Sequence, residues 1–325
     1  MGVRMYESDG WHVVVGMGSA GSRHLGILRD LGVSRIAVVR SGLGPSNRPT
    51  PAGVRELGSM EEALALGPVA AIVATPTGLH FEQTRTLLAH RIPTLVEKPL
   101  ASTALQMEEL LRLAHDQGTP LLVGFHLRFH PTRRWIAEAV RSGEFGRPLL
   151  LRATWGEYLP GWHPEEDYRH GYAARRDQGG GPLLTLSHVV DYAVDFMGDV
   201  ADVETREWKL SDLELSVPDV VALTVRHADR SVSLLEMDFV SRPPIHTIDI
   251  RLTEGRISWD VLASRAEAFS PSGLWRSHET APYSEARQMC FVDQIKRFLE
   301  LADSRAEPDL AHELQIARVL GELQA

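Results

Sequence analysis

The chain is poor in several things, and each shortage excludes a class of protein. Its 325 residues hold one cysteine, Cys290, so neither an intrachain disulfide nor a cysteine zinc site can form. No apolar run approaches the roughly 18 residues of a membrane-spanning helix. Basic residues number 34 against 43 acidic ones, a net charge of −9 without any basic block, which argues against nucleic acid or an anionic membrane as partner. The first segment, Met1 to Gly10, carries Arg4, Glu7 and Asp9 around no apolar core and does not read as a signal peptide. Neither an internal repeat nor a low-complexity tract is present, and no serine-nucleophile elbow occurs. What is left is a globular protein of ordinary composition, expected in the cytoplasm, and long enough for two domains.

The first 125 residues alternate short apolar runs with helical patterns. His12 to Val15, Ile36 to Val39, Val69 to Ala74, Thr94 to Val96 and Leu121 to Phe125 read as buried strands, because they are apolar without alternation. Helices fit between them: one with Leu25, Leu28 and Leu31, one capped by Ser59, one around Phe81 to His90, and one opened by Ser102 or Thr103 and closed by Gly118. Residues 41–53, rich in glycine and proline, read as a loop. This order predicts an α/β Rossmann domain, a doubly wound parallel sheet, over 1–125.

Residues 126–325 change character and predict an α+β domain with a mainly antiparallel open sheet. A helix over Thr132 to Ser142 leads into a strand, Pro148 to Trp155. A polar and aromatic loop covers 156–178, and a single helix covers roughly Gly181 to Met197. Strand-like runs follow at Pro218 to His227, Arg230 to Val240, Ile245 to Thr253 and Arg256 to Leu262, and two amphipathic helices end the chain, the second starting at Pro308. An open sheet with few helices would expose Val221, Leu223, Val225 or their neighbours, so a homo-oligomer, dimer or larger, is expected to cover that face.

Gly16-Met17-Gly18-Ser19-Ala20-Gly21 fits GxGxxG, follows a buried strand and opens a helix. The glycines allow a tight turn and a close approach of backbone N–H groups to a pyrophosphate, with the helix N-terminus adding positive potential. The alternative is a glycine-rich turn with no ligand. Where such folds grip a ribose hydroxyl with an acid, the second strand here ends Val38-Val39-Arg40-Ser41, with no carboxylate before Glu56. Arg40 and Ser41 suit a 2′-phosphate, which favours NADP over NAD, unless Arg40 only points to solvent. His126 and His130, four apart, lack a third ligand and run into Pro131, so no metal site is expected. Cys290 falls on an apolar helix face and reads as inert core.

With these motifs the chain resembles the glucose–fructose oxidoreductase, inositol dehydrogenase and MocA (Gfo/Idh/MocA) family. Ala74-Thr75-Pro76-Thr77-Gly78-Leu79-His80 is similar to the family's loop after the fourth strand, and Glu97-Lys98-Pro99 to its EKP segment. Gly179-Gly180-Gly181, with Thr185 and His188 beyond, is similar to its glycine-rich catalytic helix start. Arg23-His24-Leu25, Trp162-His163-Pro164 and Asp167-Tyr168-Arg169 resemble members that handle biosynthetic sugars. The resemblance runs from about Val13 to Gly198; beyond residue 200 only the strand-rich architecture matches.

The resemblance implies that Thr75, Pro76, Thr77, His80, Glu97 and Lys98 bind the cofactor. It also implies that Lys98 hydrogen-bonds the reacting oxygen and that His188 exchanges the hydroxyl proton. The chemistry agrees: hydride transfer from a carbinol needs a proton acceptor near neutral pKa, and an ammonium stabilises alkoxide-like charge. The residues alone leave a surface lysine and a core histidine equally open. Thr185 stands where many family members carry Asp, so proton transfer rests on His188 and Lys98.

On the 181–197 helix, Leu183, Leu186, Val190, Val194 and Met197 share one stripe, and Thr185, His188, Tyr192 and Asp195 the other. Asp191, three residues after His188, is placed to orient its ring. In the 156–178 loop, Trp162, His163, Tyr168 and Arg169 offer stacking faces and hydrogen-bonding groups for a sugar, the alternative being a solvated charged loop. Arg128 is placed to reach the substrate or to form a structural ion pair. The sequence thus predicts an NAD(P)-dependent oxidoreductase acting on a CH–OH group of a sugar or cyclitol, in a cleft between the two domains. The rival is a non-catalytic dinucleotide-binding sensor on the same fold.

Overall fold

The computed structural model describes residues 9–40, 49–305 and 310–321. The chain forms two compact units: one runs to Gly124 and takes in Phe291–Leu310, and the other comprises Phe125–Cys290 with the chain from Ala311 onward.

In the first unit, strands β1 (His12–Val15), β2 (Ile36–Val39), β3 (Arg55–Leu57), β4 (Ala70–Val73), β5 (Thr94–Val96) and β6 (Leu121–Val123) form one sheet in the order β3-β2-β1-β4-β5-β6, all parallel. Helices α1 (Ser19–Asp30), α2 (Met60–Ala65), α3 (Thr77–Ala89) and α4 (Ala104–Gln117) connect them. Strands β1, β2 and β4 are buried at every position, as helices on both faces of a parallel sheet require. Ser59 and Thr103 cap α2 and α4 with their side chains, and Gly118 ends α4 in the left-handed region at φ +57°. Only β3 escapes the sequence pattern, because three residues with two exposed carry no apolar run.

The sequence predicts one uninterrupted second domain; instead, residues 291–310 belong with the first unit. The cause is packing. Helix α8 (Tyr283–Ser304) buries Phe291, Ile295, Phe298, Leu299 and Ala302 in one cluster with Leu25, Leu28, Ile36, Val38 and Ile72.

The second unit contains α5 (Pro131–Arg141), β7 (Pro148–Gly156), α6 (Pro182–Thr185) and α7 (His188–Met197). After them come β8 (Val200–Trp208), β9 (Val220–His227), β10 (Val232–Asp238), β11 (Ile245–Leu252), β12 (Gly255–Asp260), β13 (Arg265–Ser270), β14 (Gly273–Glu279) and, last, α9 (Ala311–Gly321). The eight strands are ordered β14-β13-β12-β11-β7-β10-β9-β8, antiparallel except for the β7–β10 pair. Strands β8 and β14 lie at the two edges and are mostly exposed and polar, so neither carries the alternation that marks a half-buried strand. The expected start at Pro308 lies outside the described residues.

One expectation about this sheet is corrected. Val221, Leu223 and Val225 are buried at 1%, 2% and 0% exposure, so they face the core rather than solvent. Their alternates Val220, Ala222 and Thr224 are half-buried, and their side of the sheet carries ion pairs such as Arg256–Asp249 and Arg265–Glu267, the latter at 2.6 Å. No described helix is long and apolar enough to cross a membrane.

Candidate functional site: a glycine cradle and a buried histidine

In the first unit the chain from Gly16 to Gly21 turns from β1 into α1. Gly16 sits at φ +100°, where a side chain is strained and a Cβ would lie 2.7 Å from the Ala74 carbonyl oxygen. A Cβ at Gly21 would collide with the Gly16 carbonyl oxygen, whereas one at Gly18 would meet nothing within 4 Å. Gly18 therefore faces open space beside the N-terminus of α1, which has no side-chain cap and no acid in its first turn. Uncapped N–H groups, positive helix potential and room for close approach are what a pyrophosphate needs. The residues present fit the phosphates of a dinucleotide.

At the end of β2, Arg40 donates to Thr50 Oγ1 at 3.4 Å and lies 3.7 Å from Glu56 Oε2. The missing acid of the sequence reading thus arrives from the neighbouring strand, where Glu56 pairs with Val38. Ser41 lies outside the described residues. Thr75 donates through its hydroxyl to Gln83 Oε1 at 2.7 Å, Pro76 precedes α3, and Thr77, its first residue, is buried.

Two of the expected cofactor ligands are committed elsewhere. His80 is 1% exposed, with Nδ1 2.8 Å from the Pro99 carbonyl and Nε2 2.9 Å from the Thr75 carbonyl. Burial pulls its pKa below the usual value, against the two carbonyls. Glu97 accepts from His24 Nε2 at 2.7 Å. Burial alone would raise the Glu97 pKa, but the His24 bond and the charges of Lys98 and Arg23 hold it low. Lys98 lies in the chain between Glu97 and Pro99, the residue whose carbonyl His80 meets.

In the second unit the expected single helix over 181–197 is two. Leu186 N bonds the Pro182 carbonyl at 2.7 Å, the ladder then restarts from the Ser187 carbonyl, and His188 falls in the first turn of α7. His188 is fully buried among aromatic faces: His126 at 4.8 Å, Phe125 at 5.3 Å, Trp155 at 5.5 Å and Tyr192 at 6.5 Å between ring centroids. Behind them His246 stacks on Trp155 at 4.1 Å and lies 3.3 Å from the Tyr192 hydroxyl. Burial pushes the His246 pKa down to about 3, so a neutral ring faces the Tyr192 hydroxyl. Thr185, at the end of α6, is 4% exposed.

Asp191 is not turned to the histidine that the sequence assigns it. Its Oδ1 takes Arg128 Nε at 2.9 Å and His312 Nε2 at 2.8 Å, and its Oδ2 takes Arg133. Burial would raise this carboxyl, but Arg128 and Arg133, with His312, hold it well below the usual carboxylate range. Arg128 also binds Glu313 of α9, so of its two sequence readings the structural ion pair is the one observed.

Within 156–178, Tyr168 accepts from Glu214 N at 3.1 Å, and Arg169 pairs with Asp167 at 2.7 Å and Glu214 at 3.4 Å. Both are spent on internal contacts. Trp162 lies edge-on to Phe239 at 5.6 Å, and its buried indole N–H has no partner among the described residues. His163 is exposed. No group of three metal-ligating side chains occurs among the described residues.

Sequence reasoning gave no individual role to His24, Arg133, Trp155, His246, His312 or Glu313. His24 had a signal, since it shares the buried face of α1 with Gly21 and Leu28 at core spacing. So had His246, which alternates with buried Ile248, Ile250 and Leu252 along β11.

A parallel sheet ending in a glycine cradle defines a dinucleotide-binding Rossmann unit, here joined to a mainly antiparallel one. Comparison with known proteins agrees. Residues 12–125 match the model of the oxidoreductase family with an NAD-binding Rossmann fold, and residues 134–258 match the GFO/IDH/MocA C-terminal domain. The chain belongs to the Gfo/Idh/MocA oxidoreductase family. It is 32% identical over 159 residues to a 1,5-anhydro-D-fructose reductase of Ensifer adhaerens, covering 47% of this chain and 41% of that one. It is 35% identical over 148 residues to an inositol 2-dehydrogenase of Mycolicibacterium smegmatis, covering 43% of each. These matches span less than half the length of those relatives. The crystal structure of GenD2 from gentamicin A biosynthesis, in complex with NAD, superposes with a TM-score of 0.81 at 22% identity, covering 100% of this chain and 95% of the other.

Proposed function

We propose that the protein is an NAD(P)-dependent oxidoreductase acting on a CH–OH group of a sugar, sugar derivative or cyclitol. The observation that carries this reading is His188, an imidazole enclosed by aromatic rings at the start of α7, in a chain that also presents Lys98 between two held residues. When bound, the nicotinamide accepts or returns the hydride. Lys98 donates a hydrogen bond to the reacting oxygen and stabilises its developing negative charge. His188 takes the hydroxyl proton in oxidation and returns it in reduction. Trp162 and His163 contact the substrate, with Trp162 offering an apolar face and an N–H. Sugars and cyclitols are favoured because two relatives are named for 1,5-anhydro-D-fructose and inositol.

For the cofactor we infer a preference for NADP(H), supported by Arg40 at the end of β2 and opposed by Glu56 beside it. Arg40→Asp should reverse the preference, and Glu56→Gln should strengthen it; equal titration curves for both cofactors in the wild type would remove the inference. A homo-oligomer through the outer face of the second sheet is supported only by half-buried Leu150, Val232 and Leu234 there, and a monomeric mass by light scattering would count against it. The main test is absorbance at 340 nm with pure protein and a panel of sugars, nucleotide sugars and cyclitols. Cofactor binding without turnover on any of them would favour a sensor.

A further inference from the structure

We propose that His24 and His80 are positioning residues for Lys98, gripping the residues on either side of it from two different helices. The proposal rests on the reading of Lys98 given above. His24 extends from α1 and is 0% exposed, and its Nε2 donates to Glu97 Oε1 at 2.7 Å. The other carboxylate oxygen, Oε2, accepts from the backbone N–H of Lys98 at 3.3 Å. His80 extends from α3 and holds the carbonyl of Pro99 through Nδ1 at 2.8 Å. Its Nε2 lies 2.9 Å from the carbonyl of Thr75, but a neutral ring that donates from Nδ1 makes no second hydrogen bond there. Gly124 closes the remaining side: a Cβ there would lie 3.0 Å from the Glu97 Cα and 3.3 Å from its Oε2.

Chemistry explains why histidines fill both places. A carboxylate out of water needs a donor, or it takes up a proton and releases its grip. An imidazole supplies that donor on a flat, stiff ring that an apolar helix face can enclose; the His24 ring meets Phe291 edge-on at 6.2 Å. Lysine itself is a long, flexible chain, so its ammonium is only as well placed as its backbone. Holding Glu97 and Pro99 fixes that backbone. Neither histidine touches substrate in this scheme, and the cofactor phosphates belong to the glycine cradle.

The test exploits the rarity of lysine: the chain has three, Lys98, Lys209 and Lys296. Reductive methylation with ¹³C-formaldehyde gives each a separate NMR signal, and Lys98→Arg identifies its own. Glutamine places an amide nitrogen near the histidine Nε2 and asparagine near Nδ1. His24→Leu and His80→Gln should therefore move the Lys98 signal and leave Lys209 and Lys296 in place. They should slow hydride transfer by roughly 10²-fold, the cost of about 1 Å of misplacement, with little change in NADP(H) dissociation constant. His24→Gln and His80→Asn should restore both signal and rate, a discrimination that loss of bulk packing would not produce.

An unmoved Lys98 signal in folded His24→Leu and His80→Gln overturns the proposal, as does equal behaviour of Leu and Gln at position 24. Should the Leu variant not fold, ¹⁵N shifts of the wild-type rings still decide, since His24 must carry its proton on Nε2; a proton on Nδ1 alone overturns the bracing. Wild-type rates in a variant whose Lys98 signal has moved sink the proposal by itself. A wild type that turns over no substrate sinks the oxidoreductase reading instead, and the signals still show whether the two rings hold Lys98.

Discussion

The two units hold the segments that carry Lys98 and His188 by opposite means. Around Lys98 the holding groups are a neutral hydrogen-bond acceptor, the Pro99 carbonyl, and one carboxylate met by one imidazole. Around α7 the holding groups are fully charged. Asp191 binds Arg128 and Arg133, Arg133 reaches on to Asp195 at 3.0 Å, and Arg128 to Glu313. Losing one histidine from the first arrangement loosens the Lys98 backbone but strips at most one carboxylate of its donor. In the second, removing one ion leaves others buried without compensation. The ring of His188 itself packs among aromatic rings.

The largest effect that would break this contrast is on catalysis. Lys98→Ala and His188→Ala should each lower single-turnover hydride transfer by about 10²–10⁴-fold, with NADP(H) dissociation constants nearly unchanged. The double variant should lose less than the product, because both groups serve one oxygen and its proton. Wild-type transfer in His188→Ala would leave the aromatic enclosure without a catalytic meaning.

Next in size is the charged hub. Asp191→Ala should destabilise the fold by about 3–5 kcal/mol in urea titrations, the usual result of stripping the partner from buried ions. If Asp191 acted only through His188, as the sequence suggests, stability would hold and only turnover would fall. Stability at the wild-type value would therefore restore the orienting role and break the contrast drawn here.

Acid sharpens the comparison further. The His246 pKa falls from 6.5 to about 3 and the His130 pKa from 6.5 to about 4, both by burial first. A group depressed in the folded state binds its proton first when unfolded, so its stabilisation is present above pH 6.5 and lost as pH falls through the folded pKa. Each such histidine should steepen the decline by about 1.4 kcal/mol per pH unit between those limits. Asp191, also depressed, adds its loss only below its ordinary value of 3.8. His246→Phe should flatten the urea-midpoint profile between pH 6.5 and 4, the window between the ordinary histidine value and the His130 pKa; an unchanged slope would mean that His246 does not titrate with unfolding.

The smallest expected effect is at the cofactor. Arg40 lies at the surface beside Glu56, so Glu56→Gln should shift the NADP(H)-to-NAD(H) ratio by the modest energy of an exposed pair, about 0.2–1 kcal/mol. Fluorescence titration of both cofactors measures it, and an unchanged ratio would show that Glu56 plays no part in cofactor choice.

Much of the first unit was legible before any coordinates. The strands from His12 to Val15 and Ile36 to Val39 are apolar runs bounded by glycine and polar residues, and the cradle is contiguous, Gly16 to Gly21. Local sequence carries such features because the residues that act together are neighbours in the chain. The edge strands β8 and β14 left no such mark, since an edge in water has no apolar face to advertise. Partnership across distance was equally invisible. His24 meets Glu97 across 73 positions, and Arg128 meets Glu313 across 185. Asp191 fits a ring three residues away by helix spacing, and goes instead to two arginines and His312. Sequence by itself determined most of the elements of the first unit and its glycine cradle, because periodicity and turn chemistry are local. Tertiary structure alone decided which carboxylate meets which cation, because a buried charge takes the partner that packing brings within reach, wherever that partner lies along the chain.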